Sequence, residues 1–412
     1  MIFQTTIISI LIASSAIAGT TDHQLSITKA ETIPADIAAF NGIPLIIEKD
    51  AAKRIPLGKE IRLNDFPIDK RRTVDLELER FSAFTSDAQI VAGSIDANNQ
   101  ITDQLIEMPD VVFLRGSIVD EPESKVFIAI GKHTTNGIIE SRGSTFVIAK
   151  NPAEGWTAVY DINAVDPELM NWVDVQCGVE RYEDAITQTT EKQVSERSLG
   201  ESCAAIRMAI ETDWEFTNLF GGNIEASGEY AATLIAAMST VYESDVNMAI
   251  KICYLRLWAS AFDPWTTTSS GDRLGEFQGH WQTNMQHVFR HLAHMVSGSG
   301  LGGGVAYVGV VCSGSGYAVS GNIGGSFPLP IEDHNGNNWD LMVVAHETGH
   351  NCGTWHTHDY SPPIDGCGLG DCTDAWGGTI MSYCHTCSGG LSNMVMSFHP
   401  LVQDTIVNYL AD

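Results

Sequence analysis

The stretch Trp339–Asp359 reads WDLMVVAHETGHNCGTWHTHD, and its spacing decides how the chain is understood. It contains His346-Glu347-x-x-His350-x-x-Gly353-x-x-His356. On a helix, residues four apart lie one above the other, so His346 and His350 can reach one point on one face. Glu347 is offset by about 100° of helical rotation and points beside that spot, where a water would sit. Asn337, with Asp340 three residues later, has the form of a capping box at the helix start. Gly353 is where the helix can end, because glycine takes the left-handed conformation without strain. The chain then reverses and brings His356 in as a third nitrogen. Three neutral ligands leave an ion its full charge and an open fourth position, the pattern of a catalytic zinc rather than a structural one. His358 competes with His356 by proximity, but the Gly353 spacing favours His356.

Working outward, the chain changes character near its middle. Residues 201–412 hold 5 basic and 21 acidic groups, a net charge of −16, out of −28 for the 412 residues. That balance excludes a nucleic-acid backbone or an anionic membrane as partner. Hydrophobic content is 44 % and only 18 % of residues are charged, a globular composition and not that of a disordered acidic chain. The first residues, MIFQTTIISILIASSAIAG, carry an apolar run from Ile7 to Ala13 and an A-x-A signal at Ala16-Ile17-Ala18. Residues 1–18 are therefore expected to be a cleaved signal peptide. The run is shorter than the roughly 20 apolar residues of a membrane span. A secreted, extracellular protein with no membrane anchor after cleavage is expected, and a monomer.

Residues 19–177 look β-rich, with strand candidates at Val111–Val119, Lys125–Ile130 and Ser144–Ala149. Residues 178–202 are polar and read as a linker open to proteolysis, with Arg197-Ser198 the most accessible basic bond. From residue 203 to 412 strands and helices alternate. Strands are expected at Ala204–Thr212, Ile252–Trp258 and Val305–Val311, with Cys253, Leu255 and Leu257 on one face. Helices are expected at Glu229–Asn247 and Phe277–Met295. The fold class is α+β: a β-rich first part, then a mixed, mostly parallel sheet with helices packed on it.

The nine cysteines divide unevenly: Cys177 stands alone, and eight fall between Cys203 and Cys387. In an oxidising compartment those eight read first as disulfides. Cys367 and Cys372 are placed to close a small loop, and Cys312 to join the region of Cys384 or Cys387.

The eleven-residue histidine motif, together with Gly378-Thr379-Ile380-Met381-Ser382-Tyr383 starting 22 residues after His356, resembles the metzincin zinc endopeptidases. The reprolysin/adamalysin branch is the most similar, because VVFLRGSIVDEPESKVFIAI from Val111 resembles its propeptide and AYVGVVC ending at Cys312 resembles the strand before its substrate edge. The resemblance implies one catalytic zinc on His346, His350 and His356, with Glu347 as general base. It implies Met381 as the Met-turn residue packed beneath the histidines, and a protein or peptide substrate. That substrate is expected to lie along an edge strand near Gly316–Gly321. The resemblance also implies a latent precursor in which Cys177, in Cys177-Gly178-Val179, would occupy the open zinc position until the propeptide is removed. The branch places Asp directly after the third histidine, where this chain has Thr357-His358-Asp359. Tyr383, two residues after Met381, has the spacing of the astacin and serralysin tyrosine that stabilises the transition state. Calcium is left open: by spacing from Asp213, Arg207 stands where relatives often carry a calcium-binding Glu. The rival reading, a secreted non-catalytic binding protein or toxin on this scaffold, requires a lost ligand or a lost Glu347, and neither is lost. The acidic cleft is expected to prefer neutral or cationic peptides.

Overall fold

The computed structural model describes residues 25–39, 41–96, 98, 100–150, 155–165, 204–325 and 339–411. The signal candidate, Cys177, the 178–202 stretch, Cys203 and Asn337 lie outside these residues. The first part forms β1 (Ile27–Lys29), β2 (Ile43–Ile47), β3 (Glu60–Pro67), β4 (Thr73–Phe81), β5 (Phe84–Ile95), β6 (Ile101–Leu105), β7 (Val111–Ile118), β8 (Glu121–Gly131), β9 (Thr135–Ser141), β10 (Ser144–Lys150) and β11 (Thr157–Asp161). Two short helices, α1 (Ala35–Ala39) and α2 (Lys49–Arg54), lie among the first of these strands. The second part runs β12 (Ala204–Thr212), α3 (Trp214–Asn218), α4 (Ile224–Val246), β13 (Met248–Trp258), α5 (Ser270–Asn284), β14 (Leu292–Val296), β15 (Gly304–Ala306), β16 (Tyr317–Ser320), α6 (Trp339–Asn351) and α7 (Pro400–Ala411).

Nine strands of the first part pair antiparallel in the order β1-β2-β11-β10-β9-β8-β7-β4-β3. The other sheet has seven strands in the order β15-β16-β14-β12-β13-β5-β6, so two strands of the first part belong to it. Its pairs β16–β14, β14–β12, β12–β13 and β13–β5 are parallel, while β15 and β6 run antiparallel at the two edges. The expected mixed, mostly parallel sheet is present.

The alternation of β12 sets the layers. Ile206, Met208 and Ile210 join the core made with α4 and α6, while Ala209 joins the one made with α5. Helix α4 starts where Asn223 accepts from the Ala226 amide and stops at Asn247, which is left-handed at φ 52°. Cys253 does not share a face with Leu255 and Leu257. It is an extra residue in the register against β12, where Met208 pairs with Ile252 and Ala209 with Tyr254. This bulge turns Cys253 into the α5 core and leaves Leu255 and Leu257 in the α4 core.

Helix α4 and strand β13 begin earlier than expected, at Ile224 and Met248, and two further elements differ more strongly. The helix expected at Phe277–Met295 begins earlier, where Ser269 accepts from the Asp272 amide, and ends at Asn284. Leu292–Val296 is instead a fully buried parallel strand. Of the expected stripe, Trp281, Met285 and Val288 lie in the α5 core with Ala293 and Met295, whereas Leu292 turns to the other face of the sheet, into the α4 core. The strand expected at Val305–Val311 is only Gly304–Ala306. Beyond it the amides of Gly309 and Val310 donate to the carbonyls of His350 and Asn351, 2.9 Å each. They give the Asn351 carbonyl a donor and the His350 carbonyl a second one beside the Gly353 amide, at the end of α6 where carbonyls lack helical partners. Among the described residues no helix is long and apolar enough to cross a membrane.

Candidate metal centre

Helix α6 is buried along its whole length, from Trp339 to Asn351. Its start is held by Asp340, whose carboxylate accepts from the Gly324 and Gly325 amides and the Tyr230 hydroxyl. On the far side the Tyr242 hydroxyl donates to the Ala345 carbonyl at 2.8 Å. Its last turn closes as expected: Gly353 is left-handed at φ 88°, and the Thr354 amide reaches back to the Gly349 carbonyl. A Cβ on Gly353 would also stand 2.9 Å from the Tyr409 ring. The reversal at Gly353 then carries His356 back over the helix.

His346, His350 and His356 are brought together, with one ligand atom from each lying within 4.8 Å of the others. All three are buried. Their orientation is fixed from behind. The Nδ1 of His346 bonds the Ile380 carbonyl at 2.7 Å, that of His350 the Thr354 carbonyl at 2.9 Å, and that of His356 the Asp359 carboxylate at 3.2 Å. These oxygens can only accept, so in each neutral ring the proton sits on Nδ1 and Nε2 carries a bare lone pair. Burial and the neighbouring imidazoles push His346 and His356 well below the usual histidine range, and burial holds His350 at about 4.

This arrangement fits a metal ion on its own chemistry. The Nε2 atoms of His350 and His356 are 3.1 Å apart, and two lone pairs facing each other at that distance repel. The buried Nε2 of His346 has no hydrogen-bond partner. A cation at the shared point resolves both, and tetrahedral zinc at about 2.0–2.1 Å from nitrogen sets its ligands about 3.3 Å apart.

Glu347 extends beside this point, buried, with neither carboxylate oxygen hydrogen-bonded to protein. Burial pushes its carboxyl well above the usual carboxylate range. Its position depends on Gly304. A Cβ there would stand 2.3 Å from the nearer carboxylate oxygen of Glu347. Gly304 begins β15, which among the described residues is one of the two edge strands of the sheet. The expected substrate edge at Gly316–Gly321 is not an edge, because β16 within it is hydrogen-bonded to β14 on one side and β15 on the other. The sequence offered the run Gly302-Gly303-Gly304 as a signal, but nothing in it said which glycine meets the glutamate.

Met381 is buried and lies under the helix, where a Cβ on Gly349 would come within 2.7 Å of its sulfur. The same segment supplies the Ile380 carbonyl to His346 and the Met381 carbonyl to the Thr357 amide. The Tyr383 ring packs 4.5 Å from that of His356, centre to centre. His358 is not a corner of the triad. Its ring stacks on that of His356 at 5.1 Å, nearly parallel. Asp359 is a residue the sequence reading passed over: the short turn Thr357–Asp359 sets it three residues from His356, where its carboxylate orients that ring.

The segment after Met381 is stapled by Cys367–Cys384 and Cys372–Cys387. The expected Cys367–Cys372 loop and a Cys312 link to Cys384 or Cys387 are not formed. The loop through Cys367 and Cys372 lies alongside the turn through Cys384 and Cys387, so each cysteine meets a partner across the gap. Cys312 is an exposed thiol, and Cys253 and Cys352 are thiols buried in the core, so the eight cysteines are not all disulfides. Burial holds the Cys253 and Cys352 thiols up at about 11 and about 12, which leaves them inert.

Residues 203–396 match the model of Metallo-peptidase family M12, Reprolysin_5. No curated protein matches the sequence. Among solved structures, metalloproteinase-II from Bacteroides fragilis is similar at 12 % identity and a TM-score of 0.39, over 75 % of this chain and 85 % of that one. The matched stretch includes the three histidines, Glu347 and Met381, and this part of the chain is a zinc metallopeptidase domain similar to that family.

The Gly304 contact yields a prediction. Gly304→Ala should lower kcat/KM by about ten-fold or more with zinc content unchanged, because it displaces the Glu347 carboxyl from its place beside the three histidines, and small misplacements at a reacting centre are costly. Steady-state kinetics with metal analysis checks it, and unaltered kinetics would refute the contact's role.

Proposed function

We propose that the chain is the secreted, latent precursor of a zinc endopeptidase in which His346, His350 and His356 hold the ion and Glu347 is the general base. The observation that carries this reading is the convergence of three Nε2 lone pairs beside the Glu347 carboxyl in a buried pocket. A zinc ion there supplies Lewis acidity toward a peptide carbonyl and makes a water acidic enough to attack near neutral pH. Glu347, reaching past Gly304, takes the proton of the attacking water and returns it to the leaving amine. An extended peptide pairs with the edge strand β15, which brings its scissile carbonyl over the same point. The Tyr383 hydroxyl, on the ring that packs against His356, donates to the developing oxyanion. Met381 supports the histidines from below as the Met-turn residue.

Latency is assigned to Cys177, whose thiolate is a strong zinc ligand and would block the open position. Residues 1–18 direct export, and cutting within 178–202 relieves the block. Calcium has no support in this reading.

Three outcomes are expected. Glu347→Gln, with zinc retained, should abolish hydrolysis of casein or gelatin by the processed form; full activity there would end the general-base assignment. Tyr383→Phe should lower kcat by roughly ten-fold or more, as loss of a transition-state donor does, and an unchanged kcat would remove Tyr383 from the mechanism. Cys177→Ser should make the uncut precursor active, whereas a silent precursor would assign latency elsewhere.

A further inference from the structure

The sheet that carries the metal centre does not stop at the start of the second part. Its strand β13 pairs in parallel with β5, Leu255 opposite Ile90 and Leu257 opposite Ala92, and β6 completes that side. Ten of the eleven residues of β13 are buried, including Leu255, Leu257 and Trp258. With β5 gone, this strand would offer an open row of amides and carbonyls flanked by apolar side chains, a template for aggregation.

The side chains follow the same course. Phe81, Phe84, Phe113 and Phe127 of the first part share one core with Ile206, Met208, Tyr230 and Leu234 of the second. Val91 shares the other with Cys253, Tyr254 and Trp258. The charges cross as well. Arg256, buried, is held in a fork by Asp103 of β6 at 3.0 and 2.7 Å, while its other nitrogen donates to buried Glu211 at 3.1 Å. Arg207 is forked by Asp87 of β5 at 3.0 and 2.8 Å. In the other direction, Arg115, Lys125 and Lys132 pair with Glu243, Asp245 and Glu225 along α4. Buried Glu229 of α4 accepts the amides of Lys132, His133 and Thr134. Two of the five basic residues in 201–412 are therefore spent on acids of the first part, and three of that part's cations on acids of the second.

A segment built to leave would not complete a sheet, share two cores and neutralise a buried arginine. We propose that residues 25–165 remain seated on β13 and α4 after the 178–202 stretch is cut, so that the mature enzyme is a two-chain complex. The inference rests on the proposed cutting within 178–202 but not on the peptidase chemistry, and its test reads association alone.

A recognition sequence for a specific protease is placed in the 178–202 stretch of the full chain. Cys177→Ser removes any disulfide tether through that residue, and Glu347→Gln prevents self-digestion. After complete cutting, native size exclusion should recover both fragments one-to-one at the mass of the uncut chain. They should stay together in about 1 M NaCl, where the screening length is near 3 Å, and separate only in denaturant. Elution of either fragment by itself in native buffer overturns the proposal. In a second measurement, residues 203–412 produced alone should aggregate, and co-production of residues 25–177 should return them to solution as a complex. A soluble 203–412 monomer with the same thermal unfolding as the cut complex would overturn it equally.

Discussion

Three uncharged imidazoles must aim their lone pairs at one point in a place with little water. Left alone they repel, and protonating any of them underground is costly. The structure meets the demand by spending every Nδ1–H on a fixed acceptor. His350 uses the Thr354 carbonyl from the turn that ends its own helix, His346 the Ile380 carbonyl, and His356 the Asp359 carboxylate. Each acceptor comes from a different local device: the Gly353 turn, the segment before Met381, and the short turn after His356. Such partners behind the ligands set both tautomer and ring angle. The stapling of the post-Met381 segment by Cys367–Cys384 and Cys372–Cys387 has the same end, because it keeps Ile380 where His346 requires it.

The buried helix that carries two of the three histidines has to be held on all sides. Strands β15 and β16 cover one side and α4 another, and α4 in turn lies on the antiparallel sheet of the first part through Glu229, Glu243 and Asp245. Support for the site therefore reaches across the whole molecule. The charge imbalance has a structural counterpart: the acidic second part spends several of its carboxylates on cations of the first.

The zinc-binding pattern was legible because it is local. The four-residue spacing on one helix, the glycine that ends it and the third histidine beyond are all set by helix geometry, and the structure brings His346, His350 and His356 together as that geometry implies. The main strands were legible for the same reason, since buried apolar runs between turn residues read as strands. What stayed hidden depends on contacts between distant segments. The bulge at Cys253 moves one residue to the other face, and no propensity marks it. Leu292 falls at the spacing of a helical stripe by coincidence, since it sits on a strand and faces the α4 core rather than the α5 core of Trp281 and Met285. Disulfide partners follow from which loops lie side by side, and the spacing of Cys367 and Cys372 says nothing of that. Gly304 against Glu347, and β5 beside β13, join residues 43 and about 165 positions apart, so neither leaves a trace in any window of sequence.

The central claim is that the three Nε2 atoms bind one ion. X-ray absorption on the cut enzyme, with metal content measured on the same sample, tests it most directly. The account predicts one zinc per chain with three nitrogen neighbours at about 2.0–2.1 Å and no sulfur, all lost in His356→Ala. Absence of bound zinc, sulfur among its neighbours, or a zinc site untouched by His356→Ala would contradict it.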